Sequence, residues 1–219
     1  MKQYILKTLP SDGKAYEGFQ WALEVGATVK APDWNPEPKC GGGLHGWLKG
    51  EGNGKIGYIE REGCLWLVLE AEEVVNIDNE KVKFPECKIL FVGDRLGATK
   101  LLRSLCPDAQ AIIGESIEVG DTQKCLVGDY GHATAGDYGH ATAGDYGHAT
   151  AGYEGHATAG KWGHATAGYK GHATAGIGGT IQIEHYKDNR YRQLVGYIGE
   201  EGLEPNVAYK VEDGKFVKV

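Results

Sequence analysis

Histidines recur at 132, 140, 148, 156, 164 and 172, eight residues apart, and each is followed two places on by a threonine. Imidazole titrates near neutrality and is the commonest transition-metal ligand, so an evenly spaced file of such groups suits either proton sharing or metal sharing. A metal site normally needs a fuller ligand set, and no carboxylate or thiolate falls in register with these histidines. His132, His148, His164, His140, His156 and His172 are therefore candidate surface-binding residues first and candidate metal ligands second. A second pair lies in the glycine-rich stretch Cys40-Gly41-Gly42-Gly43-Leu44-His45. Cys40 and His45 have the types of a nucleophile and its base, but no third residue is identifiable that would orient them. A tight loop holding a buried thiol and a hydrogen-bonded imidazole explains the same residues without catalysis. Gly50-Glu51-Gly52-Asn53-Gly54-Lys55 misses the phosphate-loop spacing and reads as a hairpin or flexible loop. No enzyme is expected from these motifs.

The elements that position the histidines are repeats. From Gly128 to Gly176 the chain reads GDYGHATA three times, then GYEGHATA, GKWGHATA and GYKGHATA. A short fixed period marks a solenoid in which units stack and none folds alone. His-Ala-Thr-Ala alternates polar and apolar, the period of a half-buried strand, and Gly-x-x-Gly supplies flexible corners. A closed coil needs two strands, which makes 16 residues per coil. At that spacing Asp145 falls beside Lys161 and Glu154 beside Lys170, while Tyr130, Tyr146 and Trp162 line one edge and Tyr153 and Tyr169 the other. The flanking octads from 108, 116, 124 and 180 carry Ala109 and Ala111, Ile117 and Val119, Cys125 and Val127, Ile181 and Ile183 at the second and fourth positions. Those positions point inward, so the core of the perfect repeats is alanine and His and Thr stand outside. Counting from Asp108 to Ile183 predicts ten strands, about five coils at about 4.8 Å each. His132, His148 and His164 then stack on one face and His140, His156 and His172 on the other, close enough for mutual repulsion to lower their pKa values.

The 219 residues carry a net charge of −7 without a basic cluster, which argues against nucleic acid or an anionic membrane as partner. No apolar run approaches a membrane span, and the first ten residues lack a signal-peptide profile. Five cysteines at wide, irregular spacing suggest neither a disulfide framework nor a zinc site, and a cytoplasmic protein with reduced thiols is expected. The expected fold class is mainly β: a two-sided β-solenoid over 108–183, an α+β N-terminal module over 1–107 and a β-hairpin C-terminal cap over 184–219. In the N-terminal module Tyr4–Leu6, Leu65–Leu69, Val74–Ile77 and Lys88–Val92 read as strands, and Pro32, Pro36 and Pro38 keep the Trp34 region extended or looped. Asp94 to Leu105 reads as a helix that would cover the open end of the solenoid. Turns at Lys187-Asp188-Asn189-Arg190 and Glu212-Asp213-Gly214-Lys215 predict two hairpins at the far end.

The repeat block, with Gly178-Gly179-Thr180-Ile181, Leu203-Glu204-Pro205-Asn206 and the closing Tyr209 to Val217, resembles a group of phage and bacterial proteins with tandem Gly-Asp-x-Gly-Thr-Ala-Thr-Ala-Gly units; here His stands where that group has Thr or Ser. Val25-Gly26-Ala27-Thr28 and the Cys40 to His45 stretch resemble a short module that precedes some pentapeptide-repeat solenoids. The resemblance implies a solenoid and carries no activity with it. The resulting expectation is a non-enzymatic structural or binding protein that presents flat His/Thr ladders and an aromatic edge of Tyr130, Tyr146 and Trp162 to an unknown protein partner. It has no required cofactor, and its solenoid faces or edges are available for oligomerisation. The alternatives are a metal-binding solenoid that loads divalent ions on stacked histidines, an ice-binding solenoid, and an enzyme using Cys40 and His45. A DNA-mimic role is disfavoured because Asp129, Asp137, Asp145 and Glu154 face only Lys161 and Lys170 in opposition.

Overall fold

The computed structural model of the protein describes residues 2–219. The chain divides into two compact units, 1–113 and 114–219.

The N-terminal unit is built on strands β1 (Gln3–Leu9), β2 (Thr28–Lys30), β3 (Leu44–Leu48), β4 (Leu65–Ala71), β5 (Val75–Ile77), β6 (Lys81–Phe84) and β7 (Glu86–Gly93), followed by helix α1 (Arg95–Leu105). These strands form one sheet in the order β2-β7-β4-β1-β3-β6-β5, with every pairing antiparallel. The apolar run Leu65-Trp66-Leu67-Val68-Leu69 lies inside this sheet and is covered on both faces. Leu67 and Leu69 pack with Ile5, Val82 and Phe84, while Trp66 and Val68 pack with Leu6, Ala98 and Leu102. Continuous rather than alternating hydrophobicity is what such two-sided burial requires. Helix α1 starts at Asp94, whose carboxylate accepts the Gly97 N–H at 2.7 Å, a standard N-cap that satisfies one orphan donor. Its buried residues Ala98, Thr99 and Leu102 face this sheet. The buried side of the predicted capping helix is thus engaged within the N-terminal unit.

The octad at 108 is a correction. Asp108 to Ala111 form no strand, and Ala109 packs with Ala98, Leu102, Ile112 and Ile113 in the N-terminal unit. Alternation over four residues cannot separate a coil from a loop whose alanine finds a helix to pack on. The solenoid begins at β8 (Ser116–Val119) and β9 (Lys124–Val127), runs through β10 (His132–Ala135), β11 (His140–Ala143), β12 (His148–Ala151), β13 (His156–Ala159), β14 (His164–Ala167) and β15 (His172–Ala175), and ends with β16 (Thr180–Lys187). It makes about four turns rather than five. Strands alternate between two parallel sheets, and every strand residue of the repeats pairs with the one 16 places on: His132 with His148 and His148 with His164, and His140 with His156 and His156 with His172. The two-octad coil is therefore observed directly. Each inward alanine from Ala133 to Ala175 is at most 3% exposed.

The far end closes as the turn residues require. Strand β16 folds back on β17 (Arg190–Tyr197) through Asp188 and Asn189, both at positive φ, and β18 (Tyr209–Glu212) folds back on β19 (Lys215–Lys218) through Asp213 and Gly214, likewise at positive φ. Such two-residue turns match the twist of the strands they join. Ile181, Ile183, Ile198, Leu203 and Tyr209 close the core there, with Phe216 packed against them.

Candidate functional site

The corners decide how the outward residues are presented. In the six corners from Gly128 to Gly171 the residue at positive φ is not a glycine: Tyr130, Tyr138, Tyr146, Glu154, Trp162 and Lys170 lie between φ 50 and 62, and in the next corner a glycine, Gly178, takes that place. Flexibility, the role expected of the corner glycines, is therefore not what these six corners draw on. The glycines are needed instead for close approach, since a Cβ on Gly144 would lie 2.5 Å from Asp129 Oδ1 and 2.7 Å from the Asp129 backbone nitrogen. Left-handed backbone costs an ordinary residue about 1 kcal/mol, and ladder hydrogen bonds offset it. The Tyr130, Tyr138, Tyr146, Glu154 and Trp162 N–H groups each donate to the carbonyl 15 residues on, at 2.8 to 3.0 Å. A second ladder was not foreseen: Asp121, Asp129, Asp137 and Asp145 each accept through Oδ1 the backbone N–H 16 residues on, at 2.7 to 2.9 Å. Its signal was present in the repeated Gly-Asp. Asp145 thus receives the Lys161 backbone N–H, whereas Glu154 and Lys170 form the expected side-chain pair at 3.5 Å.

On one face the rings of His132 and His148, and of His148 and His164, stack at 4.8 Å; on the other His140 and His156, and His156 and His172, lie 4.5 Å apart. Three of these four pairs are parallel to within 25°, whereas His156 and His172 cross at 78°. The second column is the more shielded. Burial, followed by the next histidine in the column and by Lys124 or Lys210 at its ends, lowers the pKa values of His140, His156 and His172. Burial thus outranks the neighbour repulsion expected from the spacing. Zinc–imidazole bonds are about 2.0–2.1 Å, so two nitrogens that share an ion lie within about 4.2 Å of each other, closer than the ring centroids of any pair in either column. Among the described residues no group of three His, Cys, Asp or Glu is placed to hold a metal.

Tyr130 and Tyr146 stack at 5.0 Å and 4°, and the Trp162 ring lies over Gly178 one coil on. The opposite edge is richer than predicted. Tyr138, Tyr153, Tyr169, Tyr191 and Tyr186 form a continuous aromatic file with centroids 5.2 to 6.1 Å apart, and Lys170 sits over Tyr153 and Tyr169. Tyr186 and Tyr191 join from the β16–β17 hairpin, which no repeat period could show.

In the N-terminal unit Cys40 is exposed and His45 is half-buried on β3. They share no hydrogen bond among the described residues: His45 Nε2 is buried without a partner, and the Cys40 sulfur accepts from Lys81 Nζ at 3.0 Å. Burial, together with the charges of Lys81, Lys7 and Lys83, holds His45 down to about 4, so it is neutral at physiological pH. Burial likewise lowers Lys7, beside Trp21, to about 8, and the charge of Lys81 adds to the shift.

Compared with known proteins, the chain matches no family model, no curated protein and no solved structure. No described helix is long and apolar enough to cross a membrane.

Proposed function

We propose that the protein is a non-enzymatic binding or scaffold protein whose solenoid presents two flat His/Thr faces and two aromatic edges to a protein partner. The observation that carries this reading is the unbroken register of the repeats. Six identical His-Ala-Thr-Ala strands pair in 16-residue steps, so the outward groups form straight columns on a backbone fixed by hydrogen bonds. A preorganised surface binds with little ordering cost. The exposed aromatics Trp162 and Tyr138 supply the side-chain types that dominate interface energetics. The reading invokes no cofactor. A phage or bacterial origin follows from the repeat resemblance, and a reducing cytoplasm suits five free cysteines.

The test is capture of partners from a bacterial host lysate by the full chain and by three folded variants. One carries serine at His132, His148 and His164, one carries serine at His140, His156 and His172, and one carries serine on both aromatic edges, at Tyr130, Tyr146 and Trp162 and at Tyr138, Tyr153 and Tyr169. Loss of the same partner from one variant alone, with circular dichroism unchanged, supports the reading and names the surface. Equal capture by all four proteins sinks it.

A further inference from the structure

Strand β6 carries two lysines in alternation, and both amines are committed to the glycine-rich loop around Cys40. Lys83 is only 1% exposed, and its Nζ donates to the carbonyls of Lys39 at 2.9 Å and Gly41 at 3.0 Å, gripping the chain on either side of Cys40. The loop has little room to shift. A Cβ on Gly42 would lie 2.8 Å from Asn35 Cβ, one on Gly43 would lie 2.9 Å from the Trp34 ring, and the Gly42 carbonyl accepts the Asn35 N–H at 3.1 Å. Held in this way, the Cys40 sulfur meets Lys81 Nζ at 3.0 Å. Cys40 is the exposed thiol of the chain; Cys64 is half-buried, and Cys87, Cys106 and Cys125 are buried. Desolvation raises the pKa of these other four, Cys87 to about 12. A soluble oxidant therefore meets Cys40 first, with an amine already against its sulfur.

We propose that Cys40 and Lys81 form an oxidation-triggered sulfenamide that staples the glycine-rich loop to β6. The co-reactant is a peroxide. Hydrogen peroxide takes two electrons from the Cys40 thiol: its O–O bond breaks, an S–O bond forms and one water leaves, so the sulfur becomes a sulfenic acid. The unprotonated Lys81 amine then attacks that sulfur. The S–N bond forms as the S–O bond breaks, and the departing hydroxyl leaves with one amine proton as a second water. Thiol, amine and peroxide are consumed, sulfenamide and two waters are formed, and no oxygen is retained. Thiol reductants reverse the cross-link by attack on the same sulfur. Because a loop 41 residues long is closed, the oxidised N-terminal unit melts at a higher temperature than the reduced one.

The experiment treats the reduced full chain with equimolar hydrogen peroxide in mildly alkaline buffer, blocks remaining thiols, and maps peptides by mass spectrometry before and after dithiothreitol. The expected result is a joined pair of peptides, one containing Cys40 and the other Lys81, lighter than their sum by two hydrogens and separated by dithiothreitol. Lys81→Arg, a surface change that keeps the charge, abolishes the joined pair and leaves Cys40 oxidisable. Accumulation of Cys40 sulfinic acid or of a Cys40-linked dimer, with Lys81 unmodified throughout, overturns the proposal. So does an undiminished cross-link in Lys81→Arg.

Discussion

In the N-terminal unit both faces of the sheet are covered by large side chains, Leu67 and Ile89 in one cluster and Val68 and Leu102 in the other, whereas between the two sheets of the solenoid little but alanine methyl groups meet from Ala133 to Ala175. Burial of a methylene-sized group is worth about 0.8 kcal/mol, so an octad contributes far less hydrophobic stabilisation than a strand such as β4. The solenoid compensates with regularity. Each strand repeats the pairing of the last, and the corners add the Asp side-chain ladder to the backbone one. One unit depends on the size of its side chains, the other on close approach of its backbone, and substitutions should separate the two.

The largest expected effect is on the side-chain core. Leu67→Ala empties a fully buried site and should cost about 2 to 5 kcal/mol. Ala149→Leu, the opposite change in the thin core, should overpack it at about 1 to 3 kcal/mol, and Thr150→Leu, one residue along and outward, should cost much less. Urea denaturation of each variant decides the order; Thr150→Leu proving the costlier of the two would reverse the face assignment.

Charge sharpens the contrast, because the N-terminal unit shields an imidazole and a lysine amine, groups that the solenoid core does not contain. His45 has a folded pKa of about 4 against an ordinary 6.5, so the unfolded chain takes up the proton first. The stability this neutral imidazole confers is complete above about pH 6.5 and is lost as pH falls toward 4, on the order of 1 to 2 kcal/mol once solvent screening of a half-buried group is allowed for. His45→Gln should flatten that part of the profile when denaturation is followed by tryptophan fluorescence, and an unchanged acid profile would show that the imidazole is not held neutral.

Smaller effects belong to the corners. Asp137→Ala removes the acceptor of the Tyr153 N–H and should cost about 1 to 2 kcal/mol, visible as faster amide exchange at Tyr153. Tyr138→Asn places a residue tolerant of positive φ where a tyrosine is strained, and should raise stability by less than about 1 kcal/mol. A destabilising result would mean that the ring contact with Tyr153 outweighs the backbone strain.

The solenoid was legible from residues alone because a repeat makes every residue its own neighbour one coil on. The alternation in His-Ala-Thr-Ala determined which groups face inward, the Glu154 and Lys170 pairing pointed to 16 residues per coil, and Asp188-Asn189 and Asp213-Gly214 marked the two hairpins. Strands β1, β4, β5 and β7 were legible as apolar runs, but β2, β3 and β6 were not, since Thr28–Lys30 is short, Gly46 interrupts β3, and Lys81 and Lys83 disguise β6 as a solvated segment. What only the tertiary structure decided were the events that no period encodes. Ala109 packs against a helix instead of opening the solenoid, because Ala98 and Leu102 offer it a buried site. Tyrosine rather than glycine takes positive φ, because Gly136, Gly144 and their counterparts are occupied in letting one coil approach the next. Lys81 rather than His45 meets Cys40, because β6 lies beside β3 and directs its lysines at the loop between Trp34 and Leu44. Local pattern determines a fold where the partner is a copy of the same pattern, and long-range pairing decides it where the partner is a different sequence.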